Sequence, residues 1–213
     1  MGVKITSFNL FRSGLLEGMK EKALSLQKID GMNSFEQHRL KAMVLHILNV
    51  TGGIDFYHVF KILYFAEREH LAKWGHRMIA DDFCALDYGP VPSQLYIAIK
   101  VLDNPNSNLA SELQGAMKFA GADAPNVMIA KEPADMDYIS ASEKEALDKS
   151  IEENASLTFK QLKEKSHDIA WLEAFSRKRS SKLSLVKMAE AVHADAATLE
   201  YIKEQMELED ILA

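Results

Sequence analysis

The sequence is poor in several features that mark whole classes of proteins. Its 213 residues include one cysteine, Cys84, which excludes an intramolecular disulfide and favours a reducing compartment. Near the N-terminus, the apolar pairs at 10–11 and 15–16 are interrupted by Arg12 and Gly14. These runs are too short for a signal sequence or a membrane span. We therefore expect a cytoplasmic protein that does not enter a membrane.

An excess of basic residues is also absent. The formal net charge of -6 argues against a broad surface for nucleic acid. One local exception, at 176–187, carries basic side chains without an acid: Arg177, Lys178, Arg179, Lys182 and Lys187. Such a stretch is most often a solvated face. The alternative is a regulator that contacts the phosphates of a nucleic acid through 177–187, and we regard this partner as disfavoured.

Motifs of known catalytic and cofactor sites are missing as well. The sequence has no P-loop, no G-x-G-x-x-G and no serine nucleophile elbow. Cys84 falls inside a predicted strand, where a small buried hydrophobic residue is a better interpretation than a nucleophile. The histidines lack the spacing of zinc ligands. We expect no enzyme, no cofactor and no metal, and a hydrolase built on Tyr64, Glu67 and His70 is the least favoured alternative.

Helical periodicity is the main positive signal. At 100° per residue, residues 55–74 are apolar around most of the helix circumference, which predicts a central helix. Asp55 can cap its start, and Gly75 follows its end. Further helix starts are indicated by capping boxes that begin at Ser34, Ser140 and Thr158, and by the single capping residues Asp168 and Ser184. We predict a mainly α protein, with an N-terminal arm at 1–34 and a single helical domain at 35–213.

The predicted β structure is small. Residues 83–88 alternate in polarity and precede a Gly-Pro-Val-Pro bend, and residues 126–130 are apolar and β-branched at their centre. We expect these two segments to pair as one antiparallel two-stranded element. Such a unit is marginal alone, so it should lie on the helices.

Two polar side chains interrupt the apolar face of the central helix. Glu67 and His70 are three residues apart and are therefore neighbours on one face. Because burial of either side chain is costly unless it is paired, we expect a structural, hydrogen-bonded Glu67–His70 pair. Glu-x-x-His is also the spacing of di-iron bundles, but no convincing second copy of the motif is present.

Aromatic and proline residues gather around the bend at 88–92, and they have two interpretations. They latch the small sheet to the central helix, or they form a rim that binds a protein partner. The candidate partner-binding residues are Tyr64, Arg68, Tyr88, Pro90, Pro92 and Tyr96, of which Tyr64, Arg68 and Tyr96 are the expected anchors. Farther along the chain, His167 and Trp171 are expected to form a structural latch at a helix start.

Several of these motifs occur together in one known family. They are KILYFAE at 61–67, HL at 70–71, WG at 74–75, YGPVPS at 88–93, SHD at 166–168 and AW at 170–171. In this order they resemble the Panacea domain, the SocA-like antitoxin family of bacteria and their phages, over about 35–175. The resemblance implies an antitoxin that binds a cognate toxin protein and holds it inactive. It also implies an alternative, an adaptor that delivers the toxin to a protease. Neither the toxin nor the oligomeric state follows from the sequence.

Overall fold

The fold is built around the predicted central helix. The computed structural model describes residues 32–178 and 180–212. Most of the predicted N-terminal arm, and Arg179 of the basic stretch, lie outside the described residues. From Ser34 onward the chain forms one compact unit, Ser34–Ala213.

Helices make up most of the described residues, which confirms the mainly α prediction. In chain order they are α1 Ser34–Thr51, α2 Phe56–Trp74, α3 Ser93–Lys100, α4 Asn108–Ala116, α5 Ala141–Asn154, α6 Phe159–Ser166, α7 Ile169–Arg177, α8 Leu185–Glu190 and α9 Ala196–Leu212. The strands are β1 Ile54–Asp55, β2 Phe83–Leu86, β3 Gly89–Pro92, β4 Met117–Phe119 and β5 Val127–Ala130. A 3-10 turn spans Met136–Tyr138.

The central helix is α2, and its ends are where the sequence predicts them. Asp55 caps the first turn by accepting a hydrogen bond from the backbone N–H of His58. Gly75 ends the helix in the left-handed region, with φ of 73°. Helices α5, α6, α8 and α9 and strand β3 all pack on α2, so its residues are buried on several sides. A nearly all-apolar helix surface requires this environment.

The capping residues fold as predicted because capping depends on neighbours within one turn. Ser140 and Thr158 each form a complete capping box at the starts of α5 and α6. Asp168 caps α7, and Ser184 caps α8. Helix α1 begins at Ser34 itself, one position before the start that a cap at Ser34 predicts.

The described residues form two small antiparallel sheets, and the predicted pairing of 83–88 with 126–130 is wrong. Strand β2 pairs with β3, so that Phe83 lies opposite Pro92 and Leu86 opposite Gly89. Strand β5 instead lies between β1 and β4. The two-residue β1 is too short to leave a pattern in the sequence.

The prolines of β3 explain the wrong prediction. Proline cannot donate to a neighbouring strand, so Pro90 and Pro92 predict a bend, yet an edge strand tolerates them. Strand β3 is such an edge, because the other side of β2 bonds to residues 180–183.

Cys84 lies in β2 and is half-buried, in contrast to the buried position expected for it.

Among residues 32–178 and 180–212, no helix combines the length and apolar character that a membrane crossing requires.

Candidate functional site

Two side chains of α2 hold the β2–β3 turn against the central helix. The hydroxyl of Tyr57 donates to the carbonyl of Tyr88 at 2.9 Å. The ammonium of Lys61, one helical turn later, donates to the carbonyl of Pro90 at 2.7 Å. Proline carbonyls remain free to accept although proline nitrogens cannot donate. The YGPVPS block is therefore tied to α2 through its backbone, in the manner of a latch.

Lys61 is fully buried, and sequence reasoning assigned it no role. Its ammonium lies 4.7 Å from the centre of the Tyr57 ring. Burial lowers the pKa of Lys61 well below its usual value, and the charge of Asp168 opposes this shift. A Cβ at Gly89 would lie 2.9 Å from the Lys61 Nζ and 2.5 Å from the Ser166 Oγ. Glycine at 89 therefore makes room for the buried ammonium.

Asp168 joins the central helix to the start of α7. One carboxylate oxygen accepts hydrogen bonds from the Tyr64 hydroxyl and the Arg68 guanidinium, both at 2.7 Å. The other oxygen accepts the backbone N–H groups of Ala170 and Trp171, which caps α7. Burial, with the charge of Asp168 beside it, raises the pKa of Tyr64 well above its usual value. This carboxylate thus receives four hydrogen bonds from two distant parts of the chain.

A stack of three rings lies beside this carboxylate. His167 is nearly parallel to Trp171 at 3.6 Å between ring centres, and Trp171 is stacked on Phe175 at 4.6 Å. The indole N–H of Trp171 donates to the carbonyl of Leu86 at 2.9 Å, which ties α7 to β2. Burial and the charge of Lys163 lower the pKa of His167 to about 4. The stack therefore contains a neutral imidazole at physiological pH.

Glu67 and His70 are both buried, but they do not pair with each other. One oxygen of Glu67 accepts the backbone N–H groups of Met78 and Ile79 at 3.1 and 3.0 Å. Its second oxygen lies 3.9 Å from the Nε of Arg77. Burial raises the pKa of Glu67 to about 7, and the nearby Arg77 charge limits the rise. Glu67 therefore fixes the loop that follows α2.

His70 is bound to other groups. Its ring nitrogens lie 3.0 Å from the carbonyl of His76 and 3.2 Å from the hydroxyl of Ser142. The predicted Glu67–His70 pair is therefore wrong, because side chains three residues apart can each be satisfied by other segments. The three members of the hydrolase alternative, Tyr64, Glu67 and His70, also bind separate partners.

Asp81 is a polar centre that the sequence did not reveal. Its carboxylate accepts the Ser93 hydroxyl and the backbone N–H groups of Gln94 and Leu95, each at 2.9 Å. It thus caps α3 from twelve or more residues upstream, in place of the usual adjacent N-cap. Burial raises the pKa of Asp81 to about 6 although these donors oppose the shift. No local spacing rule points to such a remote cap.

The residues predicted to bind a partner are mostly inaccessible. Tyr64, Arg68 and Tyr96 expose 0%, 8% and 3% of their surface. Pro90 and Pro92 are also buried, and Tyr88 is half-buried. The helix edge that carries Tyr64 and Arg68 is covered by Asp168 and the start of α7. The expectation of an accessible aromatic rim is therefore wrong, and the observed contacts are those of an internal frame.

The basic stretch is largely paired with acids or carbonyls. Arg177 contacts Glu173 and donates to the carbonyl of Lys182. Lys182 lies 2.9 Å from Asp82, and Lys187 bonds to Glu190. Lys178 is exposed. These pairings reduce the positive charge that phosphates would meet.

The described part of the chain contains no group of three or more His, Cys, Asp or Glu side chains that could hold a metal ion.

Several large apolar side chains are exposed on the surface of the described residues. Ile169 and Leu172 are exposed on α7, and a second exposed set consists of Trp74, Tyr201, Leu208 and Ile211. Sequence reasoning missed the second set, although the spacing in α9 is visible in the sequence.

One known protein family matches the part of the chain that contains the buried polar contacts described above. The model of the antitoxin SocA-like, Panacea domain family matches residues 59–172, which is more than half of the chain. This range contains Lys61, Tyr64, Arg68, the β2–β3 turn and Asp168. No curated protein and no solved structure matches the chain. On the strength of this match, the protein belongs to the antitoxin SocA-like, Panacea domain family.

Proposed function

We propose that this protein is the antitoxin of a toxin–antitoxin pair, and that it neutralises a cognate toxin protein by direct binding. The observation that carries the proposal is the family match over 59–172. Within that range several charged side chains of the motifs bind one another or the backbone, as Lys61 binds the carbonyl of Pro90 and Arg68 binds Asp168. Elements joined by such buried hydrogen bonds suit a rigid platform for a partner.

The proposal assigns no catalysis to this chain. Tyr64, Glu67 and His70 bind separate structural partners, so they do not converge on a common point where a substrate atom could sit. Inhibition would follow from occupying the surface of the toxin. It would then be stoichiometric, since each antitoxin molecule blocks one toxin molecule for as long as the complex lasts.

The test begins with the reading frames beside the gene. A neighbouring product that stops growth when it is expressed alone is the toxin to use. Coexpression of this protein should restore growth, and the two purified proteins should elute together from a sizing column. The destabilised variant Asp168→Ala serves as a control and should rescue growth less well than the parent protein. Absence of a complex between the folded parent protein and the growth-arresting product would refute direct binding.

Delivery of the toxin to a protease is the alternative outcome of the same experiment. Purified toxin is incubated with a bacterial energy-dependent protease, with and without this protein. A blocking antitoxin leaves the rate of toxin degradation unchanged or lowers it. Faster toxin loss only in the presence of this protein would support an adaptor instead.

A further inference from the structure

Helix α9 has two apolar faces, although a helix on the surface of a single domain needs only one. Ile202 is buried, with 2% of its surface exposed, and it faces the protein. Tyr201, Leu208 and Ile211 are 44%, 51% and 78% exposed. At 100° per residue these three fall within about 80° of arc, on the side away from Ile202. The exposed residues therefore form a second stripe along the helix.

Trp74 is exposed next to the point where the α9 stripe meets the end of the central helix. The Tyr201 ring packs on Gly75, since a Cβ at Gly75 would lie 2.5 Å from the ring. Trp74 is the neighbouring residue and is 46% exposed. Exposed single apolar residues are ordinary, but two large aromatic residues near the contact of α2 with α9, together with Leu208 and Ile211 farther along α9, have the composition of a protein interface. We call Trp74, Tyr201, Leu208 and Ile211 the α9 face.

The charged residues around the α9 part of this face are mostly acidic, while at Trp74 the ammonium of Lys73 lies 5.3 Å from the ring centre and pairs with Glu145. Glu200, Glu204 and Glu207 are exposed on α9. The one basic residue of this helix, Lys203, is engaged with Glu200 at 3.1 Å. Glu204 falls on the same arc as Tyr201 and Leu208 by helical spacing. An apolar stripe with an acidic rim is complementary to a surface that has an apolar centre and a basic rim.

We propose that the α9 face is the surface that binds the toxin, and that the toxin presents an apolar segment flanked by lysine or arginine. This proposal rests on the proposed function. A second copy of this chain is a poorer occupant, because a two-fold pairing would bring the glutamates of one α9 close to those of the other. The face lies outside the family-matched range except for Trp74, so it belongs mainly to the part of the chain that the family pattern does not describe.

The first test places charge on the apolar stripe. The double variant Leu208→Glu, Ile211→Glu changes only exposed positions and should keep its helical circular dichroism. We expect its affinity for the growth-arresting neighbouring product to fall at least about thirtyfold, the scale of an interface hot spot. The matched control is Ile169→Glu, Leu172→Glu on the exposed face of α7. This control should bind within about threefold of the parent protein.

The second test reverses the acidic rim without touching the apolar stripe. Glu204→Lys, Glu207→Lys should bind the toxin at least about tenfold more weakly, and its affinity should depend less on salt than that of the parent protein. The control Glu152→Lys, which changes an exposed glutamate on α5, should bind the toxin as the parent protein does.

The outcomes separate the two proposals. If the parent protein binds the toxin and both double variants of α9 bind it equally well, the proposal that the α9 face binds the toxin is wrong and the proposed function remains. If the parent protein itself fails to bind, the proposed function fails. If the α9 variants dissociate a dimer of this chain and still bind the toxin, the face belongs to a second copy and the proposal is wrong.

Discussion

Arg68 and Asp168 are separated by 100 positions in the chain, yet they form an ion pair of 2.7 Å. Both side chains are close to fully buried, at 9% and 12% exposure. A buried charge whose partner is removed is strongly destabilising, whereas an exposed pair contributes little. This contact therefore joins the two ends of the family-matched range at a point where a substitution has large effects.

Removal of the Asp168 carboxylate should be among the most damaging single changes. Asp168→Ala leaves Arg68 without its partner and removes the cap of α7, so we expect the free energy of unfolding to fall by about 3–5 kcal/mol. Urea denaturation measures the loss. Asp168→Asn retains a capping oxygen and separates the two effects. The control Ser107→Ala, which removes only the exposed cap of α4, should lose about 1 kcal/mol. Equal losses in Asp168→Ala and Ser107→Ala would contradict the buried ion pair.

Gly89 and Gly115 should respond in opposite directions to alanine. Gly89 has φ of 96°, and its added Cβ would meet the Ser166 hydroxyl and the Lys61 ammonium. Gly89→Ala should therefore lower the free energy of unfolding by about 2 kcal/mol or more, through backbone strain and lost space. Gly115 lies in α4 with no atom near its would-be Cβ. Gly115→Ala should stabilise the protein by about 0.5–1 kcal/mol. The melting temperatures of both variants, compared with that of the parent protein, test these two expectations. A Gly89→Ala protein as stable as the parent would contradict the close packing at this turn.

Glu67 should make the protein less stable as the pH rises from 4.5 to about 7. Its pKa is about 7 in the folded state and 4.5 ordinarily, so the folded state holds more protons in this window. The free energy of unfolding then decreases with pH, by on the order of 3 kcal/mol for the whole shift. Glu67→Gln cannot titrate. The stability of the parent protein minus that of this variant should fall across the window in urea denaturation. Parallel curves for the two proteins would show that Glu67 is not desolvated.

Titration of Lys61 should make the protein more stable as the pH rises in the alkaline range. Its pKa is lowered in the folded state, so the unfolded state holds more protons from the folded pKa up to 10.5. The free energy of unfolding therefore rises with pH in that window. Lys61→Met keeps an unbranched side chain, one heavy atom shorter, and removes the titrating group. The stability of the parent protein minus that of the variant should increase as the pH rises toward 10.5. A constant difference would mean that the ammonium keeps its ordinary pKa.

Local features were predictable because their physical cause is local. A cap at Ser140, Thr158 or Asp168 needs only the backbone N–H groups two or three residues later. The central helix likewise follows from a periodicity within residues 55–74. Strand pairing is different, since 126–130 has no sequence signal that selects between β1, β2 and β4. The edge position that tolerates Pro90 and Pro92 exists only after the chain has folded.

The sequence by itself determined the mainly α fold, the helix starts and the family, because these depend on periodicity, capping and ordered motifs. Only the tertiary structure decided which polar side chains are buried and what they bind. A helix wheel places Tyr64 and Arg68 at the edge of an apolar arc, but it cannot show that Asp168 covers them from 100 residues away. The sequence likewise shows the helical spacing of Tyr201, Leu208 and Ile211, but it does not show that these residues are exposed. Their exposure depends on which face of α9 packs against α2 and α8, and long-range packing selects that face.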